Sequence, residues 1–481
     1  MTKGITLDIA LLIDFGSTYT KVVAVDLVDG CFLGRAQCSS TVDTDVTEGL
    51  LRALHLLKEQ SGIRDEQVTL KLACSSAAGG LRVVAVGHIG RLTAEAANRA
   101  ALGAGAKVVQ VFDRALNSST IKRLQAASPD IILLAGGVDG GNDVVILRNA
   151  RNIAASDITA PVVMAGNIAV QKEVCSIFRE VGQAVYECSN VMPELNVLDV
   201  EPARQVIRDV YIRHIIEAKG LGRAAEYVGD VIMPTPMAVL RMTELLAVGS
   251  KGEAGLGETV VIDVGGATTD VHSGSWGVSE EMSAKVLDLP EPFAKRTVEG
   301  DLGLRQSAET LLEAAQQSYI PHEAVGTLRT NEALLLAYYL ATHTSTLPNT
   351  AAEWDMDVAM AMAGAYIAME RHAGVLETSK ATGFEQVQRG KDLSRVGVLI
   401  GTGGVFAFGS QPQAILSACL ANPANMFSLR PKAPQIYIDG DYILYAGGLL
   451  STIYPDKALR LVKGSLRSVE TPSRAPVSSD A

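Results

Sequence analysis

Two short segments, far apart in one 481-residue chain, follow the same pattern. In LLIDFGSTYTKVVAVD an apolar run ends at Asp14, passes Gly16, Ser17 and Thr18, and resumes through Thr20 and Lys21. In TVVIDVGGATTDVHS the same order runs through Asp263, Gly265, Gly266, Thr268, Thr269 and Asp270. Each reads as a β-hairpin whose turn presents backbone N–H groups and hydroxyls, a concavity suited to phosphate oxygens. The aspartate closing each first strand can hold a hydrated Mg²⁺ or orient a water, which phosphoryl chemistry requires and a bare turn does not. One such hairpin is also what a capped turn without a ligand looks like. Two in one chain point to a nucleotide gripped by two related lobes.

A chain of this length is too long for one core and predicts two domains or more. Hydrophobic residues make up 48% and aromatic residues 5%, so the core is built from Ala, Val, Ile and Leu, as in α/β layers. The net charge of -11, with no basic arm, argues against nucleic acid and anionic membranes as partners. Cys31, Cys38, Cys74, Cys175, Cys188 and Cys419 are scattered without a CxxC pair, which reads as reduced thiols and not as zinc or a disulfide framework. The N-terminus lacks a signal-peptide pattern, and no run reaches the roughly 20 apolar residues of a membrane span. The expectation is a soluble, cytoplasmic protein.

Along residues 1–187, short strands alternate with helices, the pattern of a mostly parallel or mixed sheet covered on its faces. A buried strand, Ile131 to Leu134, runs straight into the glycine turn AGGVDGG at 135–141. That turn suits a structural role as well as it suits a ligand. Residues 188–254 read as a helical connector or inserted subdomain, with Pro234 and Pro236 breaking a helix at MPTPM. Residues 255–463 open with the second hairpin and later carry a strand ending in Gly401, Gly403 and Gly404; 464–481 read as a disordered tail.

The order of these pieces resembles the superfamily of actin-like ATPases, sugar kinases and heat-shock ATPases. More narrowly, DFGSTYTK, AGGVDGGN, DVGGATTDVHS, RTVEGDLG and IGTGGVFA resemble the MutL family of glutamate mutase accessory proteins, over nearly the whole ordered chain. The resemblance implies an α/β, two-lobed actin-like ATPase fold, two ribonuclease-H-like domains around a nucleotide cleft, with ATP and Mg²⁺ as cofactors. Carried onto this chain, it implies that Asp14 holds Mg²⁺ through water, while Gly16, Ser17 and Thr18 meet the β- and γ-phosphates; Lys21, which follows the turn and is not a Walker A lysine, is counted among the cofactor-binding residues. Asp263 would orient the attacking water and serve as the second metal-side carboxylate. Gly265, Gly266, Thr268 and Thr269 would cradle the other side, and Gly401, Gly403 and Gly404 would let backbone approach the adenosine. Glu299 and Asp301, in RTVEGDLG, are weaker candidates for the nucleotide.

The resemblance also implies a partner: subunits of an adenosylcobalamin-dependent mutase, served by a chaperone or reactivating factor whose lobes close on ATP and reopen on hydrolysis. The chain itself carries no DxHxxG cobalamin motif, as befits a helper. A small-molecule kinase and a non-catalytic nucleotide-binding scaffold remain open alternatives on the same fold. Homo-oligomerisation is also left open.

Overall fold

The computed structural model describes residues 8–16, 18–41, 45–76, 81–88, 92–218, 227–229, 231–277, 285–286, 289, 291–320, 323–378 and 386–469. It divides into two compact units: residues 1–242, 287–298 and 445–461 in the first, and 243–286, 299–444 and 462–481 in the second.

Unit 1 opens with β1 (Ile9–Phe15), β2 (Tyr19–Asp26) and β3 (Cys31–Ser39), an antiparallel meander. Every residue of β1 is buried, so IALLIDF reads as a continuous apolar run and not as an alternating one. Helix α1 (Val46–Ser61) follows; the Asp45 carboxylate accepts from the Thr47 amide at its start, and Gly62 ends it with φ of 70°. Val46, Leu50, Ala53, Leu54 and Leu57 form its buried stripe. Then β4 (Val68–Ser75) pairs parallel to β1.

The chain next leaves this sheet and builds another. Strands β5 (Arg82–Val86), β6 (Lys107–Phe112), β7 (Ile131–Leu134), β8 (Val162–Met164) and β9 (Val185–Glu187) alternate with helices α2 (Leu92–Gly103), α3 (Ser118–Ala126), α4 (Val144–Ala154) and α5 (Gln171–Glu180). All pair in parallel, in the order β6-β5-β7-β8-β9. This is a doubly wound sheet whose direction of winding reverses between β5 and β7.

Helix α6 (Glu201–Ala218) and strand β10 (Val231–Pro234) return the chain to the first sheet, where β10 pairs parallel to β4. The segment expected as a helical connector therefore contains a strand of unit 1. Pro234 closes that strand, and Pro236 sits in the first turn of α7 (Thr235–Val248). The two prolines start a helix instead of breaking one, because a first-turn proline lacks only an N–H that would be unpaired anyway.

Unit 2 repeats the plan. Strand β11 (Thr259–Val264) pairs antiparallel with β12 (Thr269–Gly274), and β13 (Val398–Thr402) joins parallel to β11. Strand β14 (Gln435–Asp439) continues parallel, and β15 (Leu466–Ser468) closes the edge antiparallel. Residues 466–468, expected in a disordered tail, thus belong to the sheet, and 470–481 lie outside the described residues. Helices α8 (Ala308–Gln317), α9 (Asn331–Thr342) and α10 (Ala351–His372) lie between β12 and β13 in the chain, and α11 (Gly404–Phe408) and α12 (Pro455–Ser465) follow β13 and β14.

In unit 1 the sheet order is β10-β4-β1-β2-β3, a hairpin meander followed by two parallel strands, which is the ribonuclease-H-like arrangement. In unit 2 the hairpin β11–β12 is followed by parallel β13 and β14 in the same positions. The expected class holds: an α/β protein of actin-like ATPase fold, with a ribonuclease-H-like core in each unit. Among the described residues, no helix is long and apolar enough to cross a membrane.

Candidate functional site

The two hairpin turns match residue for residue. In the first, Asp14 faces Lys21 and Phe15 faces Thr20; in the second, Asp263 faces Asp270 and Val264 faces Thr269. Each encloses four residues closed by the same bond. The Gly16 amide donates to the Tyr19 carbonyl at 3.1 Å, and the Gly265 amide to the Thr268 carbonyl at 2.9 Å. A side chain at position 16 would lie 2.5 Å from the Tyr19 oxygen, so this closure requires glycine.

The carboxylate of Asp14 is buried and fully engaged. Lys21 Nζ stands 2.8 Å from Oδ2, and Thr235 Oγ1 donates to Oδ1 at 2.6 Å. The Cys74 thiol also reaches Oδ1, at 3.7 Å. Burial first, and the Asp14 charge second, push that thiol well above its ordinary pKa, so it remains a neutral donor. Lys21 Nζ also lies 5.5 Å from the centroid of the Tyr445 ring. Thr18 is exposed on the turn, and Ser17 lies outside the described residues. Thr235 is a residue that sequence reading missed: it is 221 positions from Asp14 and meets it only because β10 joins β4.

In unit 2 the segment 300–307 wraps the second turn. Leu304 N donates to the Gly265 carbonyl at 3.0 Å, and the amides of Arg305 and Gln306 donate to that of Gly266 at 2.8 and 2.9 Å. Ser307 Oγ donates to the Ala267 carbonyl at 2.9 Å. Three consecutive carbonyls therefore point one way. A trans peptide sets its N–H opposite its C=O, so the amides of Gly266, Ala267 and Thr268 point away from this wrap, to one common side. That is a nest of the kind that receives anion oxygens.

Two arginines hold the wrap. Arg305 makes a buried bidentate pair with Asp357 on α10, at 3.0 and 2.7 Å. Arg371, at the other end of α10, grips Glu299 at 2.6 Å and both oxygens of Asp301 at 2.9 Å. Glu299 and Asp301 are thus committed to an ion-pair clamp and not presented as ligands. Thr269 is likewise spent: buried, it donates its hydroxyl to the Leu302 carbonyl at 2.6 Å. Thr268 donates to Asp270 Oδ2 at 2.9 Å.

The late glycine turn sits beside the second hairpin because β13 runs parallel to β11, with Thr402 opposite Asp263. Gly403 has φ of +112°, and a side chain there would fall 2.4 Å from the Val264 carbonyl and 3.3 Å from Asp263 Oδ1. At Gly401 a side chain would strike the Phe406 ring at 2.7 Å. Gly404 differs: a side chain there would meet no protein atom within 4 Å. Its smallness is not demanded by the protein's own packing.

Asp439 is a second residue the sequence reading missed. At the end of β14 its buried carboxylate accepts from Thr402 Oγ1, Ser465 Oγ and the amides of Ile443 and Leu444, at 2.9 to 3.0 Å. Burial raises its pKa above the ordinary 3.8. Its contact with Thr402 fixes the strand end from which the glycine turn springs.

The AGGVDGG turn follows β7 at the carboxyl edge of the inserted sheet. Asn167 Oδ1 accepts from the Gly140 amide at 3.0 Å, and Asn190 Nδ2 donates to the Gly137 carbonyl at 3.0 Å and to Asp139 at 2.8 Å. These side chains come from the loops after β8 and β9, so the glycine turn is stitched to its two neighbours. Among the described residues, no cluster of three His, Cys, Asp or Glu side chains forms a metal site, and all six cysteines are free.

A family model described as MutL protein matches residues 10–466. Protein MutL from Clostridium tetanomorphum is 44% identical over 468 residues, covering 96% of this chain and all of that protein. Among solved structures, xylulose kinase from Bifidobacterium adolescentis is similar at 13% identity, with 97% of this chain and 96% of that one covered and a TM-score of 0.30. Nucleotide-free acetone carboxylase gives 14% identity, 92% and 70% coverage, and a TM-score of 0.38.

Proposed function

The chain belongs to the MutL family, and on that premise we propose that it is an ATP-binding, ATP-hydrolysing accessory protein for an adenosylcobalamin-dependent mutase such as glutamate mutase. The observation that carries the nucleotide reading is the residue-for-residue match of the turns after Asp14 and Asp263. The common direction of the amides in the second turn and the open space at Gly404 fit a phosphate-bearing ligand better than a merely tight turn.

In this reading the turn residues Gly16, Ser17 and Thr18 and the amides of Gly266, Ala267 and Thr268 bind phosphate oxygens. Lys21 exchanges the Asp14 carboxylate for a phosphate, which frees Asp14 to face a hydrated cation. Magnesium is suited to such a site because it keeps most of its waters and takes only one or two carboxylates beside the phosphates. Asp263 orients the attacking water by accepting its hydrogen bond. Gly403 and Gly404 let backbone come close to the nucleoside. ATP and ADP act on the client only through unequal affinity for client-competent and client-incompetent forms.

The test is reactivation. A mutase carrying damaged cobalamin is mixed with this protein, Mg-ATP and fresh adenosylcobalamin, and mutase activity is followed. Recovery that requires both the protein and ATP is expected. No recovery, with ADP released only when a small hydroxylated or carboxylated metabolite is added, would move the assignment to a kinase.

A further inference from the structure

Helix α9 of unit 2 lacks the polar face that a surface helix needs. Its sequence NEALLLAYYLAT carries one charged residue, Glu332, and Thr330 caps its start through the Ala333 amide. Ala333, Ala337 and Leu340 form the buried side and belong to the core of unit 2. On the outward side Leu334, Leu335, Tyr338 and Tyr339 are 54%, 70%, 62% and 46% exposed. Positions i, i+1, i+4 and i+5 make one continuous stripe. A helix apolar on all sides is ordinarily covered on all sides.

Four large side chains on one face, each about half exposed or more, make a patch comparable with the largest that an isolated monomer shows. Homodimer interfaces are roughly two-thirds apolar, a composition that such a stripe suits. Tyrosine is among the residues enriched at such interfaces, and the two leucines add apolar area beside it.

We propose that this face is covered by the same face of a second copy, α9 against α9 antiparallel across a two-fold axis. Two features favour self-pairing over a foreign partner. The stripe bears no charge, so two copies meet without like-charge repulsion and without a pattern for a charged partner to read. The ends are also complementary: Glu332 stands in the first turn, and exposed His343, stacked on Tyr339 at 4.3 Å, follows the last. Antiparallel pairing sets each Glu332 near the partner copy's imidazole end, and the oppositely charged helix termini side by side.

Sedimentation of the full chain over a range of concentrations tests this. The wild type is expected as a dimer, and the double variant Leu335→Glu, Tyr338→Glu as a monomer with unchanged far-UV circular dichroism and a melting temperature that no longer depends on concentration. Glu332→Lys should weaken the dimer several-fold, and adding His343→Glu should restore it, a rescue that only antiparallel self-pairing predicts. A wild-type monomer at all concentrations, or a dimer that survives the double substitution, overturns the proposal. So does a monomer that binds mutase through these residues, which would assign the stripe to the client instead.

Discussion

Asp14 is held by three donors before any ligand arrives, and they differ in what they can give up. Lys21 reaches Asp14 on a long side chain with several rotatable bonds and can turn to a phosphate, whereas Thr235 is fixed by the strand end that carries it. Thr235→Val should therefore weaken Mg²⁺-dependent ATP affinity by roughly tenfold to a hundredfold, the worth of one hydrogen bond to a charged group, while Thr235→Ser should retain it. Titration of ATP binding with and without Mg²⁺ checks this; a valine variant with the wild type's affinity in Mg²⁺ would remove Thr235 from the site. At this scale the sequence was legible wherever chemistry sits in one short segment. That Asp14, Lys21, Asp263 and the glycines sit on paired hairpin turns could be read because a hairpin brings neighbours together. Thr235, Asp439, Arg305 with Asp357, and Arg371 could not, since their partners lie tens to hundreds of positions away and nothing local marks them. Thr269 was read as a ligand because its type fits, but alternation along β12 turns it inward to Leu302.

The elements explain which glycines the fold itself requires. Gly403→Val should destabilise unit 2, since its side chain would collide with the Val264 carbonyl in a backbone conformation that valine avoids. Gly404→Ala should leave the melting temperature unchanged yet lower ATP affinity, because the space there is open in the protein alone. Thermal melts and binding isotherms on the pair separate the two roles; a Gly404→Ala variant that binds ATP normally would mean that the space is not used. Asp439→Ala should cost about 2–3 kcal/mol in denaturant unfolding, because four buried donors lose their acceptor and one side of the glycine turn loses its anchor. An unchanged midpoint would contradict that anchoring role. The alternation of strands and helices in residues 1–187 foretold parallel pairing but not a separate sheet. Hydrophobic period says that a segment is a strand; it does not say which strand it joins. MPTPM misled for a related reason: proline forbids a helix interior but favours a helix start, and the choice depends on β10 ending there.

At the scale of the whole chain, two units share one core plan, and unit 1 accommodates a five-stranded parallel sheet between β4 and β10. The plan places an aspartate at the end of the first strand in both units, and β10 and β13 each bring a further residue to that strand end. The proposed function joins the membership in the MutL family to the matched turns: on that reading the turns hold the phosphates of the nucleotide whose hydrolysis drives the work on a client. The most direct measurement of that account is phosphate release from ATP in a single turnover, with and without the mutase, by the wild type and by Asp263→Asn. Both proteins are expected to bind ATP within a few-fold of each other, and the substitution to lower release at least a hundredfold, within the range for a lost general base or water-orienting group. Equal release by the two proteins would contradict it.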